Sequence, residues 1–101
     1  MHIFAFLGQI IENYHTMKIS VVIPCHNEEK SIRACVESCL NQTRPFDQIL
    51  VINDGSTDRS GEILKEFGNK IDVLTIDKAT GNKSRAQEKG LPLVIGDVFV
   101  A

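Results

Sequence analysis

Three short stretches carry the side chains most suited to chemistry. Residues 51–58, VINDGSTD, end an apolar run in Asp54, Gly55, Ser56, Thr57 and Asp58. Residues 24–28 offer Pro24, His26 and Glu28, and residues 81–85 offer a glycine followed by Lys83 and Arg85. A carboxylate such as Asp54 can accept hydrogen bonds from the N–H edge of a base, and Gly55 lets the backbone turn and come close. His26 can lie flat against a ring. Lys83 and Arg85 can meet a diphosphate, one as a point charge and the other as a forked donor. Each has a plainer reading as well. Residues 54–58 have the composition of a turn running into a helix cap, His26 suits an exposed loop, Glu28 suits a helix start, and Lys83 and Arg85 suit a solvated helix face.

What decides between these readings is the elements that position the loops. Residues 19–23 are a short, β-branched apolar run ended by Pro24, the pattern of a strand buried on both faces. Asn27 is a good N-cap, Glu28 and Glu29 suit a first turn, and Ile32, Cys35, Val36, Cys39 and Leu40 repeat at helical spacing. Residues 43–45 break that helix, and residues 48–52 form a second buried strand. Thr57 or Asp58 is placed to cap a second helix bearing Ile63, Leu64 and Phe67, closed at Gly68. A third strand covers residues 71–76 and a third helix residues 84–89, stopped by Gly90 and Pro92. A turn at Gly96 and Asp97 leads into a fourth strand at the end of the chain.

Alternating strands and helices predict an α/β fold with a parallel sheet and right-handed crossovers. Ligands of such sheets bind outside the carboxyl ends of the strands, which is where residues 24–28 and 53–58 fall. No glycine follows the first strand, so a dinucleotide-type phosphate cradle is excluded there. Glu28 and Glu29 would also repel a pyrophosphate at the start of the first helix.

The 101 residues are 43% hydrophobic and 24% charged, with a net charge of −2 that provides no basic field for nucleic acid. Three cysteines, with Cys35 and Cys39 among the apolar positions of one helix, fit reduced core residues of a cytoplasmic chain better than a metal site. Two Asn-x-Ser/Thr patterns, at Asn41 and Asn82, are read as chance. Residues 1–17 divide from the domain at 18–101. Their apolar residues, from Ile3 to Tyr14, have the spacing of an amphipathic helix, without the features of a signal peptide or the length of a membrane span. Alternatively they are an upstream extension, with Met17 as the start.

VVIPCHNEE at 21–29, SCLNQT at 38–43, VINDGSTD at 51–58, GNKSRAQEKGL at 81–91 and GDVFVA at 96–101 together resemble the N-terminal, nucleotide-binding portion of a family 2 glycosyltransferase of the GT-A fold. The resemblance implies a partial GT-A, Rossmann-like sheet truncated after about four strands. It also implies transfer of a hexosyl group from a nucleotide diphosphate sugar, expected to be a UDP-sugar, to a hydroxyl acceptor with inversion. By resemblance, Pro24, His26, Glu28, Asp54 and Lys83 form the nucleotide-sugar-binding set, with Asp54 at the uracil edge. His26 stands where the family often has tyrosine, and Glu88 where it often has asparagine. The family's Asp-x-Asp motif, which holds Mg²⁺ or Mn²⁺ against the donor diphosphate, and its catalytic base would follow Ala101. The 101 residues therefore contain no assigned catalytic residue and no metal ligand, and are expected to be inactive alone. Membrane association would come through sequence beyond them, at the cytoplasmic face. Two other readings stand beside this one: a non-enzymatic truncated fragment that binds nucleotide, and an unrelated flavodoxin- or receiver-like domain, for which Asp77 and Lys78 after the third strand are a poor fit.

Overall fold

The computed structural model describes residues 18–100. The reading of residues 1–17 as a helix or extension lies outside them. Four parallel strands, β1 (Ile19–Cys25), β2 (Gln48–Asp54), β3 (Asp72–Ile76) and β4 (Asp97–Val100), form one sheet in the order β3-β2-β1-β4. Helices α1 (Ile32–Leu40) and α2 (Ser60–Lys65) connect the first three strands, and α3 (Lys83–Gly90) carries the chain from β3 back across to β4. The α/β expectation is met.

β1 and β2 read as continuous apolar runs because both of their faces are covered. Val21, Ile23, Val51 and Ile49 point to one side, where they meet Ile32, Val36 and Cys39 of α1 and Ile63 and Leu64 of α2. Val22, Leu50 and Ile52 point to the other, against Ala86 of α3. The alternation is the period-2 geometry of a strand applied twice, once for each layer. Pro24 is accommodated within β1, paired with Ile52, and carries the strand two residues beyond the expected end at Ile23. None of the three cysteines is in a disulfide, and Cys39 is buried with Cys35 packed against the same core, as the core reading required.

The opposite end of the sheet is tied by one side chain. Buried Gln48 accepts from Ser20 Oγ at 2.9 Å and from Ile95 N–H at 3.1 Å, and donates to Asp72 Oδ2 and Leu93 O, both at 2.9 Å. Its amide thus links β1, β2, β3 and the segment entering β4, and none of its polar atoms is left unpaired at the buried site. Nearby, Asp47 Oδ2 accepts from the Ile19 N–H at 2.7 Å and from Arg44 Nη1 at 3.0 Å, fixing the first residue of β1.

The boundaries of the first two helices also depart from expectation, each for a local reason. α1 begins at Ile32 after Ser31, because Asn27 is used elsewhere, as described below. α2 begins at Ser60, so Thr57 and Asp58 lie outside it, although Asp58 Oδ1 accepts the Ser60 N–H at 2.9 Å. Phe67 falls beyond the end of α2, just before a 3-10 turn at Gly68–Lys70, yet still packs on the core.

Two outcomes follow from these contacts. A Cβ added at Gly90 would lie 2.5 Å from Ile52 Cδ1, so α3 rests on the sheet only because that position has no side chain. Gly90→Ala should cost roughly 1–3 kcal/mol in overpacking, offset in part by a helix-propensity gain of up to about 1 kcal/mol. A lowered urea midpoint at unchanged slope would register the loss; an unchanged midpoint would show that the layer spacing yields. The Asp47 carboxyl is held below its ordinary value, first by the Ile19 N–H and then by Arg44. A depressed carboxyl contributes stability that is complete above its unfolded value and lost as pH falls through its folded one. Asp47→Asn should therefore flatten the decline of the urea midpoint below about pH 4, and equally steep declines in both proteins would remove Asp47 from the acid response.

Candidate functional site

At the carboxyl ends of β1 and β2 the chain leaves the sheet through two adjacent loops, and the backbone N–H groups there need partners. Asn27 supplies them. Its backbone takes φ of 51°, a left-handed conformation that asparagine tolerates better than most residues. From there its Oδ1 accepts from Thr57 N–H at 2.7 Å and Asp58 N–H at 3.3 Å. Ser56 Oγ accepts from Asn27 N–H at 3.0 Å, Ser60 Oγ from Glu28 N–H at 2.9 Å, and Asp58 Oδ2 from Glu29 N–H at 3.1 Å. The hydroxyls and acids after β2 are therefore spent on the loop after β1. This corrects two expectations, Asn27 as the cap of α1 and Thr57 as the cap of α2.

That stitching places Pro24, His26, Glu28, Asp54 and Lys83 around one cleft of about 260 Å³, completed by Cys25, Gly81, Asn82 and Ala86. All five predicted residues are brought together. Arg85 is not: it does not line the cleft, and its backbone N–H is bound by the Asn82 side chain at 3.3 Å. Asn82 caps α3, its Oδ1 also accepting from Ser84 N–H at 2.8 Å, so α3 starts at Lys83, one residue earlier than expected. The helix end facing the cleft carries the positive pole of its dipole, with Lys83 as its first residue.

Asp54 is 5% exposed. The cost of burying its polar atoms is offset because Thr80 meets both oxygens: Thr80 N–H donates to Oδ1 at 2.8 Å and Thr80 Oγ1 to Oδ2 at 2.6 Å. Two of its roughly four acceptor positions remain for a ligand. The Asp54 backbone carbonyl accepts from His26 Nδ1–H at 2.6 Å, which assigns the proton to Nδ1 and leaves Nε2 to accept from Asn27 Nδ2 at 3.4 Å. His26 is thereby held beside Asp54 with its ring exposed. Gly55 has φ of 62° and a Cβ there would fall on the backbone of Ala79, so the loop of residues 77–82 closes directly onto it. Glu28 is exposed; its Oε2 accepts from Ser31 Oγ at 3.1 Å. Cys25 walls the cleft, and burial pushes its thiol up against hydrogen bonds from Ser60 and Glu28 that lower it.

Sequence reasoning missed Thr80. Its only local signal is a hydroxyl residue in a short polar segment between a strand and a glycine, and its partner is 26 residues away. Among the described residues, no group of three or more His, Cys, Asp or Glu is placed to hold a metal ion. Among the same residues, no helix is long and apolar enough to cross a membrane.

A parallel sheet of this order with a cleft at its carboxyl ends is a ligand-binding type of α/β domain, and comparison gives the family. The profile described as Glycosyl transferase family 2 matches residues 20–101, and the chain belongs to that family. It is 42% identical over 82 residues to glycosyltransferase GlyA of Streptococcus pneumoniae serotype 4, covering 79% of this chain and 12% of that protein. It is 40% identical over 89 residues to the probable glycosyltransferase YdaM of Bacillus subtilis, covering 81% of this chain and 21% of that one. The chain thus spans a quarter or less of these curated relatives. Among solved structures it superposes on residues 1–349 of S. aureus TarS in complex with UDP, with a TM-score of 0.76 and 28% identity over 84% of this chain and 27% of that one. It also superposes on Mycobacterium tuberculosis glucosyl-3-phosphoglycerate synthase in complex with Mn²⁺, UDP and phosphoglyceric acid, with a TM-score of 0.71 and 27% identity over 84% of this chain and 32% of that one. The fold is therefore the Rossmann-like GT-A fold.

The double role of Asn27, as a left-handed corner and as an acceptor, makes a ranked prediction. Asn27→Ala loses the acceptor and strains the backbone and should cost about 2–3 kcal/mol, whereas Asn27→Gly loses only the acceptor and should cost about 1 kcal/mol. Urea unfolding of the three proteins tests the order, and alanine no worse than glycine would remove the backbone part of the account.

Proposed function

We propose that this chain binds the nucleotide of a UDP-sugar, as the donor-binding part of an inverting glycosyltransferase that passes a hexosyl group to a hydroxyl acceptor. The observation that carries the reading is the buried Asp54 carboxylate, held as an acceptor at the end of β2 with capacity left over, beside the exposed ring of His26. An acceptor at that position suits the imide N–H of uracil, and a flat ring suits its face. Lys83, at the positive end of α3 on the other side of the cleft, suits the diphosphate. Family membership and a superposable structure described in complex with UDP support the same assignment.

The chemistry these residues supply is binding and orientation. Pro24 and Cys25 wall the cleft against water, His26 and Asp54 fix the base, and Lys83 offsets phosphate charge. The described residues do not supply a metal site, and no transfer step is assigned to them. In this reading the 101 residues bind donor and do not turn it over.

Calorimetric titration with UDP tests the proposal. The unaltered chain should bind, and Asp54→Ala should bind about 1–3 kcal/mol more weakly, the loss expected for one hydrogen bond to a charged group. Equal affinity in both proteins, with circular dichroism showing both folded, would remove Asp54 from base recognition.

A further inference from the structure

We infer that Thr80 is a positioning residue that sets base selectivity by holding Asp54 in place, an inference that rests on the UDP-binding reading above. The carboxylate at the end of β2 does not fix itself. Its backbone belongs to the sheet, but its side chain reaches past the last ladder pair, Asp54 with Ile76, into a cleft where a free carboxylate could turn toward solvent or toward Lys83. Thr80 removes that freedom by meeting both oxygens with two donors from one residue, a fork like that of an arginine but without the charge.

The hydroxyl is the more informative of the two donors, because it has one hydrogen and two acceptors within reach. Asp54 Oδ2 lies at 2.6 Å and the Asn82 carbonyl oxygen at 2.9 Å. The charged and closer oxygen takes the hydrogen. The Asn82 carbonyl already accepts from Ala86 N–H at 3.1 Å in the first turn of α3, so it is not left unpaired. The Thr80 oxygen in turn accepts from Asn82 N–H at 3.3 Å. A directed chain results, from the Asn82 N–H to the Thr80 hydroxyl to the Asp54 carboxylate, joining the residue that caps α3 to the residue that would read the base.

The chain has a consequence for selectivity. A carboxylate only accepts, and with Thr80 on both oxygens its remaining lone pairs keep one direction, toward a ligand whose edge must donate there. Uracil donates from N3–H; the corresponding ring nitrogen of cytosine is an acceptor, so it would meet the held carboxylate lone pair to lone pair, and only the exocyclic amino group beside it could donate, which a carboxylate fixed toward the ring nitrogen does not reach squarely. An aspartate free to rotate would escape that clash and discriminate less. Thr80 therefore controls the difference between the two pyrimidines without touching either.

The test uses the full chain, UDP and CDP in calorimetric titrations, and two substitutions. Thr80→Val keeps the backbone N–H and the side-chain shape but removes the hydroxyl; Thr80→Ser keeps the hydroxyl. The expected result is that Thr80→Val loses about tenfold in UDP affinity and narrows the UDP-to-CDP ratio by a similar factor, while Thr80→Ser retains both. Thr80→Val with an unchanged ratio would overturn the inference while leaving the UDP reading intact. A wild-type chain that binds neither nucleotide would overturn the UDP reading and this inference with it. Amide exchange in the nucleotide-free chain is an independent check. The Thr80 N–H should be protected in the wild type and should exchange faster in Asp54→Ala, and equal exchange in the two would overturn the link itself.

Discussion

The structure depends on the need to satisfy backbone polar groups where two buried parallel strands end side by side. β1 and β2 are paired in register up to Cys25 with Asn53, and at that point the ladder stops supplying partners. Side chains take over: Asn27 serves the loop after β2, while Ser56, Asp58 and Ser60 serve the loop after β1. The exchange is reciprocal, so neither loop has its conformation without the other. The cleft is the space left between this double loop and the start of α3.

The contact that fixes Asp54 comes from a third segment, and the contrast explains why the binding residues come from such distant parts of the chain. Pro24 and His26 arrive with β1, Asp54 with β2, and Lys83 with α3. Each is placed by an element whose register is set deep in the core, by pairs such as Val22 with Leu50 and Leu50 with Asp72. A one-residue slip of β1 would turn Val21 and Ile23 out of one layer and into the other, and would move His26 with them. The apolar core is therefore also what holds the distances at the cleft.

The strands and the order of layers were legible because burial writes itself into residue type: residues 19–23 and 48–52 have no other use for so many β-branched and apolar side chains. The gathering of Pro24, His26, Glu28, Asp54 and Lys83 was legible for a topological reason, since carboxyl ends of parallel strands must lie on one edge. What was not legible is the pairing of short polar side chains. Asn27 beside two glutamates has the signature of a helix cap, and only the folded chain shows that Thr57 N–H, 30 residues on, is its partner. Thr80 is the same case. A hydroxyl can bond many groups, and nothing in a linear sequence ranks a local carbonyl against a carboxylate brought in by another strand.

The two layers are unequal. Among the described residues, eleven buried side chains form the cluster beneath α1 and α2, and four form the cluster beneath α3, where Leu91, Leu93 and Ile95 remain 55%, 47% and 59% exposed. Local stability follows buried contact, and among the described residues α3 is held by less buried apolar surface than the helices on the other face. Asp54 ends β2, a strand that both layers share, whereas Lys83 begins α3 and Thr80 lies in the loop before it. In the proposed reading a ligand that touches Asp54 and Lys83 would tie α3 to the sheet, and part of its binding energy would go into holding that helix in place. On that reading, affinity and the docking of one helix would be the same equilibrium seen from two sides.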